Sequence, residues 1–108
     1  MIDIYFIEDK IKAIPDEPDE DNYLGSIELD QHKSLEPLWE KCRRKNIHFP
    51  FFEDSLLTMG QVREMMEIFN NWPHIIDDKP TSREAYQLFA NILSSAIQKS
   101  AGLVSYCD

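Results

Sequence analysis

Side chains that could perform metal or nucleophilic chemistry are scattered singly along the sequence. His32, His48 and His74 are isolated from one another, and neither an HExxH nor a CxxC motif occurs. Cys42 and His48 are the one conceivable nucleophile–base pair, but nothing near them supplies an oxyanion hole or an orienting third group. The histidines are therefore predicted to have structural or surface roles, and no metal ligand and no catalytic residue is predicted.

The sequence gives equally little support for a phosphate-binding loop or for acid–base catalysis. The three glycines are widely separated, and neither GxGxxG nor GxxxxGK[ST] is present, so no nucleotide-binding loop is expected. The adjacent carboxylates Glu53-Asp54 and Asp77-Asp78 raise the question of general acid–base catalysis. Such pairs outside regular elements are common on solvated surfaces. We expect a protein that is not an enzyme and carries no cofactor.

The densest chemical feature is "PDEPDEDN", residues 15–22, which holds five carboxylates in eight positions: Asp16, Glu17, Asp19, Glu20 and Asp21. This spacing lacks the alternating oxygens and the central glycine of an EF-hand loop. A charged loop can serve solubility and protect sheet edges. Clustered like charges also create a local field that speeds and strengthens binding to a basic partner. Both interpretations stay open at this point.

The net charge of the chain bears on which partners it can bind. The 108-residue chain carries a net charge of −9, and its first 30 residues contain ten acids and only two bases. A chain this acidic repels nucleic acid and anionic membranes, so binding to either is not expected. Asp3 stands where a signal peptide needs basic residues, and no apolar run could span a bilayer. We expect a cytoplasmic protein in which Cys42 and Cys107 are free thiols.

The N-terminal third predicts strands. "IDIYFIED" reads as a first strand, "KIKAIP" as a second strand or an extension of the first, and "YLGSIELDQ" as a half-buried strand. In the last of these, Tyr23, Ile27 and Leu29 are expected to face inward, with the acids outward. Gly25 shares the inward parity and is expected to permit a bulge or a close approach.

The remainder predicts helices. Ser34 is expected to cap a helix through Trp39 with Pro37 in its first turn, and "KCRRKN" to close it. Capping boxes are expected at Thr58 with Gln61 and at Thr81 with Glu84. The first of these helices should end near Asn70-Asn71-Trp72, and the second should carry an apolar stripe and stop at Gly102 before a short strand, "LVSYC". The stripe is Ala85, Leu88, Phe89, Ile92, Leu93 and Ala96. The predicted fold is one α+β domain over residues 1–108, a small antiparallel N-terminal sheet packed by about three helices.

The connector "FPFF" is predicted to pack in the core through Phe49, Phe51 and Phe52. The alternative is that one of the three is exposed beside Glu53 and Asp54, where an aromatic ringed by carboxylates would be a typical interface anchor. The basic cluster at residues 43–45 is explained by its position at a helix C-terminus.

Taken together, the opening strands, the strand "YLGSIEL", the helix around Trp39 and the connector "HFPFFED" resemble small acidic immunity proteins of bacterial polymorphic-toxin and contact-dependent inhibition systems. The resemblance implies an antitoxin that occludes a toxin domain with a basic surface, often a nuclease, and that has no catalytic residues. It implies partner contacts from the acidic loop and from a second region with an exposed aromatic. The candidate partner-binding residues are Asp16, Glu17, Asp19, Glu20, Asp21, Glu28, Asp30, Glu53, Asp54 and Trp72.

Two other functions remain compatible with the sequence. One is a phage or mobile-element inhibitor whose charge imitates nucleic acid, and the other is a small ligand-binding domain or enzyme of unknown type. A toxin gene directly upstream would favour the immunity protein, and a phage neighbourhood would favour the mimic. The oligomeric state is left open, because an exposed edge of the sheet can pair with itself or with the partner.

Overall fold

The computed structural model describes residues 1–108 and shows a four-stranded antiparallel sheet with four α-helices. The strands are β1 (Ile2–Ile7), β2 (Tyr23–Ile27), β3 (Ser55–Leu57) and β4 (Gly102–Cys107). The helices are α1 (Leu29–Ser34), α2 (Glu36–Arg43), α3 (Met59–Asn71) and α4 (Pro80–Gln98). About 48% of the chain is helical and 19% is strand, which confirms the predicted α+β class. No helix combines the length and the apolar character needed to cross a membrane.

The sheet is centred on the two ends of the chain. Its strand order is β2-β1-β4-β3, and β1 pairs with β4 from Ile2 opposite Cys107 to Ile7 opposite Gly102. The predicted strand "LVSYC" is confirmed, and the structure makes it a central one. The sheet is therefore not built from the N-terminal segment alone, because β4 and β3 supply two of its four strands.

Strand β1 is apolar on both faces. Ile2 and Ile4 pack against the helices in the main core, whereas Tyr5 and Ile7 belong to a second small cluster on the opposite side of the sheet. We call that opposite side the outer face. The helices cover the inner face, where the largest buried side chain, Trp39 of α2, contacts the rings of neighbouring aromatics. Those rings are His32, Phe49, Phe69 and Phe89.

The predicted second strand "KIKAIP" was wrong. Residues 11–15 form no strand, and Ile11 and Ile14 are each more than one-third exposed. The reason is that β1 already pairs with β2 on one side and β4 on the other, so no edge of β1 is free for a hairpin partner. The segment instead crosses the outer face.

The third predicted strand was too long. It ends at Ile27, and Leu29 begins α1 because Gln31 satisfies a backbone donor at the helix start: the Glu28 N–H donates to Gln31 Oε1 at 2.8 Å. Ser34 does not cap α2 as predicted. It ends α1 and donates to the Gln31 carbonyl, and Leu35 stands at the N-cap of α2 instead. Pro37 does lie in the first turn of α2, as predicted.

Of the two predicted capping boxes, one is confirmed. Thr58 and Gln61 form it, and α3 ends at Asn71 as expected. The box predicted at Thr81 with Glu84 is not formed, because helix α4 begins earlier, at Pro80. Asp77 lies before the helix and accepts hydrogen bonds from the Lys79 N–H and the Ser82 hydroxyl. The predicted stripe of α4 is confirmed, with Ala85, Phe89, Ile92, Leu93 and Ala96 buried and Leu88 packed against them.

Gly25 permits both a bulge and a close approach, the two features expected at this position. The pairing of β1 with β2 slips between Ile4, which faces Gly25, and Tyr5, which faces Tyr23, so that Leu24 is the extra residue of a bulge. A Cβ at position 25 would lie 3.1 Å from Ile92 Cδ1 of α4. One prediction for this strand was wrong. Tyr23 was expected to face inward, but the bulge turns it to the outer face, where it is 48% exposed.

Gly102 does not end α4. The helix stops at Gln98, and Ser100 takes the left-handed conformation (φ 50°) that a terminal glycine was expected to supply. Gly102 opens β4 instead, and it has to be glycine because a Cβ there would lie 2.3 Å from the Leu57 carbonyl oxygen.

Replacing Gly102 by alanine is therefore expected to lower the free energy of unfolding by about 1–3 kcal/mol, since the methyl group would force β4 away from β3. Urea denaturation measures the change. Gly60→Ala is the matched control: Gly60 lies in α3 with its nearest neighbour 3.8 Å from the added Cβ, so stability should stay constant or rise by up to about 1 kcal/mol. Equal effects of the two substitutions would contradict the steric explanation.

Candidate partner-binding surface on the outer face of the sheet

A row of three tyrosines crosses the outer face. Tyr23 of β2, Tyr5 of β1 and Tyr106 of β4 stand side by side, with ring centroids 5.4 Å apart for Tyr5–Tyr23 and 5.7 Å apart for Tyr5–Tyr106. Both contacts are edge-to-face, the favoured arrangement of aromatic pairs. Ile7, Val104 and Leu56 complete the apolar part of this surface. No helix covers it, so its only cover is the segment that joins β1 to β2.

That segment is hydrogen-bonded to the rest of the molecule at two places, and a third hydrogen bond orders its end locally. Near its start, Asp9 Oδ1 accepts a hydrogen bond from the Met59 N–H at the beginning of α3, at 2.7 Å. In the middle, the Tyr106 hydroxyl donates to the Pro15 carbonyl at 3.0 Å. At its end, Asp19 Oδ1 accepts from the Asp21 N–H at 3.0 Å and caps a short 3-10 helix that leads into β2. The acidic loop, residues 15–22, therefore has a defined position beside the tyrosine row.

A groove of about 410 Å³ lies between the acidic loop and the sheet. Its walls are mostly apolar, and its rim carries two of the five loop carboxylates, those of Glu17 and Asp19. We call this cavity the sheet groove. The apolar residues that line it are Tyr5, Phe6, Ile7, Ile11, Val104 and Tyr106.

The loop carboxylates are not neutralised within the chain. The four ion pairs of the structure all lie elsewhere, and none of them includes an acid of residues 16–21. Like charges this close repel one another, so the cluster contributes nothing favourable to folding through pairing. The outer face consequently presents an unbalanced negative field next to an aromatic groove.

The negative charges contribute to a raised pKa at two tyrosines of the row. Burial raises the pKa of Tyr5, and the carboxylates of Glu20 and Asp3 raise it further. Burial also raises the pKa of Tyr106, with added contributions from Asp54 and Asp16. These shifts act against ionisation of the phenols, and Tyr106 is a hydrogen-bond donor to the loop.

The other acids predicted to bind the partner do not lie together in the structure. Glu28 and Asp30 lie at the start of α1, at the opposite end of β2 from the acidic loop, and Asp30 Oδ1 accepts from the Gln31 N–H at 2.8 Å. Asp54 lies on the Tyr106 side of the outer face, where its Oδ1 accepts from the Cys107 N–H at 2.8 Å. Glu53 lies apart from it, at a smaller pocket lined also by His32 and Arg43.

The aromatic residues considered as core or interface residues also lie in different parts of the molecule. Phe49 is buried in the core, as the packing interpretation predicted, and Phe51 is partly buried against it. Phe52 is 76% exposed, the situation that the alternative described. Trp72 is 38% exposed at the end of α3, and Lys41 Nζ lies 4.0 Å above its ring. Trp72 thus belongs to the helical layer, away from the acidic loop.

The smaller pocket, of about 240 Å³, offers no nucleophile or metal site. His32 Nε2 lies 2.7 Å from the Phe49 carbonyl, which can only accept, so this nitrogen carries the hydrogen. Burial lowers the pKa of His32, and its ring stacks on Trp39, as expected of a structural histidine. Burial raises the pKa of the Cys42 thiol to about 12, which removes it as a nucleophile. No group of three or more potential metal ligands is present.

Comparison of the chain with protein-family models, with curated proteins and with solved structures finds no match. The outer face is therefore the feature from which a function has to be inferred. It joins an unpaired charge cluster, a row of tyrosines and a cavity, and the acidic loop carries the first, lies beside the second and borders the third.

The sequence predicted the acidic loop but not the sheet groove. Tyr106 and Val104 come from the last strand, some 90 residues from the loop that they contact, and no local pattern signals such a meeting. One signal was available. Strand β1 carries apolar residues on both parities, which is typical of a strand covered on two faces. The segment after it was the obvious candidate for the second cover.

Tyr106→Phe is expected to release the loop, because the Pro15 carbonyl loses its donor. We expect faster amide hydrogen exchange across residues 15–22 and a loss of about 1 kcal/mol in the free energy of unfolding. Tyr86→Phe is the matched control, since the Tyr86 hydroxyl donates to the Phe69 carbonyl at 2.8 Å, far from the loop. It should cost similar stability and leave exchange in the loop unchanged. Unaltered loop exchange in Tyr106→Phe would show that this hydrogen bond does not hold the loop.

Proposed function

We propose that this protein is an immunity protein, an antitoxin that binds a bacterial toxin domain through its outer face and blocks it by occlusion. In this proposal the protein acts in the cytoplasm, and the toxin carries a basic surface and is a nuclease. The observation that supports the proposal most is the position of the acidic loop. Its five carboxylates make no ion pair, two of them border an aromatic groove, and the loop is hydrogen-bonded to the sheet rather than displayed as a free tail.

The composition of the outer face suits a protein interface. Tyrosine is among the residues most enriched at binding hot spots, because its ring buries a large area and its hydroxyl still finds a polar partner. Three tyrosines on neighbouring strands, flanked by carboxylates, provide an apolar centre with a charged rim. A segment that served only solubility would not need hydrogen bonds to α3 and to β4.

A basic partner follows from the charge. The acids of the outer face create a field that attracts cationic surfaces and accelerates encounter. Nucleases need basic clefts, because they hold a phosphate backbone that carries one charge per nucleotide. An acidic surface of fixed shape can occupy such a cleft, and its rigidity limits the entropy lost on binding.

Occlusion requires no reacting group on this chain. The one buried thiol keeps its proton, the buried histidine is held by the Phe49 carbonyl, and no metal cluster is formed. Neutralisation by this mechanism should be stoichiometric and reversible, with one copy of the protein blocking one toxin domain.

The direct test is co-expression with the product of the gene immediately upstream, which the proposal predicts to contain the toxin domain. Restored growth of a bacterial host, together with a one-to-one complex in calorimetry, would support the proposal. Failure to bind that domain, with growth still arrested, would contradict it. Equal inhibition of several unrelated DNA-binding proteins would also contradict it and would favour an acidic mimic of nucleic acid.

Neutralising all five loop acids by Asp→Asn and Glu→Gln substitution should slow association with the toxin domain about tenfold or more at low salt. The salt dependence of the rate should weaken as well. Stopped-flow mixing at several ionic strengths measures both.

The matched control neutralises five acids of the helical layer, which changes the net charge equally but leaves the outer face intact. These residues are Glu40, Glu64, Glu67, Asp78 and Glu84. Their substitution should reduce the association rate far less. If the two fivefold variants behaved alike, total charge rather than the acidic loop would drive association.

A further inference from the structure

We propose that the sheet groove binds the side chain of one arginine of the partner protein. This inference rests on the proposed function, because it describes how the same surface engages a basic protein. The groove would receive the aliphatic part of the side chain, and the acidic rim would receive the guanidinium. The field of the whole loop would bring the partner close, and the groove would select one residue of it.

The walls of the groove suit the stem and the plane of an arginine. Ile11, Val104 and Tyr106 line one continuous cavity, and Ile11 is partly exposed although it is apolar. The three methylenes of an arginine stem can pack on such a surface. The guanidinium is weakly hydrated for a cation and stacks favourably on aromatic rings. Two tyrosines that line the groove, Tyr5 and Tyr106, carry such rings.

The rim supplies acceptors that the fold does not use. Glu17 makes no side-chain hydrogen bond and no ion pair, and Asp19 uses only Oδ1, towards the Asp21 N–H. Both carboxylates border the cavity. A guanidinium presents five donors in a planar fork and can satisfy two carboxylates at once, which an ammonium cannot do with the same geometry. The rim therefore favours arginine over lysine.

Nothing within the chain already fills this role. Lys10 is the one base that lines the groove, and its Nζ pairs with Glu8 at 3.1 Å at the start of the connecting segment. Asp16 and Asp21 lie on the same acidic loop but do not line the groove. This division separates two effects that are otherwise difficult to distinguish, the long-range field of the loop and the local contacts of its rim.

The test uses N-acetyl-arginine amide as the probe, followed by two-dimensional NMR of the full chain at low salt. We expect saturable shifts at the amide and methyl signals of Ile11 and Val104 and at the amide of Tyr106. The lysine analogue should bind several-fold more weakly, because it lacks the planar fork. The citrulline analogue, which has the same shape without the charge, should give no saturable shift.

Two double variants with the same net charge complete the experiment. Glu17→Gln with Asp19→Asn should weaken arginine binding about tenfold, since the rim acceptors lose their charge. The asparagine keeps a side-chain oxygen for the cap of the 3-10 helix, so the loop should stay folded. Asp16→Asn with Asp21→Asn should weaken binding less than about threefold, because only the field changes. The spectra of both variants report directly whether the fold is retained.

Equal weakening by the two variants, or shifts confined to residues 15–22, would overturn the arginine site. The proposed antitoxin function would survive that outcome, since docking through the field alone would suffice for it. Specific arginine binding without any binding of the neighbouring toxin domain would have the opposite meaning. It would support the site and contradict the antitoxin.

Discussion

The pairing of β1 with β4 places apolar side chains on both faces of the central sheet, so both faces need cover. Ile2, Ile4 and Leu103 face the helices, while Tyr5 and Val104 face the other way. Four helices bury the inner face around Trp39. On the outer face the only available segment is the connection from β1 to β2, and it is the most acidic part of the chain. The requirement for cover thus brings the charge cluster against the aromatic surface.

This arrangement makes the acidic loop serve structure and recognition together. Pro15 accepts the Tyr106 hydroxyl and Asp9 accepts from α3, so the loop belongs to the fold. Its carboxylates remain unpaired. Burial raises the pKa of Tyr5 and Tyr106, and Glu20 and Asp16 of the loop add to that effect. Mutual repulsion of these acids costs stability, and natural proteins commonly tolerate such a cost at binding surfaces. A basic partner would relieve the repulsion by pairing with them, and this relief would contribute to the affinity.

The elements that were predicted correctly are those whose signals are local. The capping box of Thr58 with Gln61 needs only residues within one turn, and the stripe of α4 repeats along one helix. The predictions that failed depended on competition for partners. "KIKAIP" has strand character, but both edges of β1 were taken by more distant segments. Thr81 could have capped α4, yet the helix begins one residue earlier, at Pro80, where Asp77 accepts hydrogen bonds from the Lys79 N–H and the Ser82 hydroxyl.

The sequence by itself determined the α+β class, the helices and strands with strong local signals, and the concentration of negative charge in residues 15–22. Local periodicity, capping and charge are properties of neighbouring residues, so they can be recognised without a fold. Only the tertiary structure decided that Tyr106 and Val104 meet the loop and that a groove opens between them. That meeting joins segments some 90 residues apart. It follows from strand pairing and from the competition for cover on the sheet, which no local pattern records.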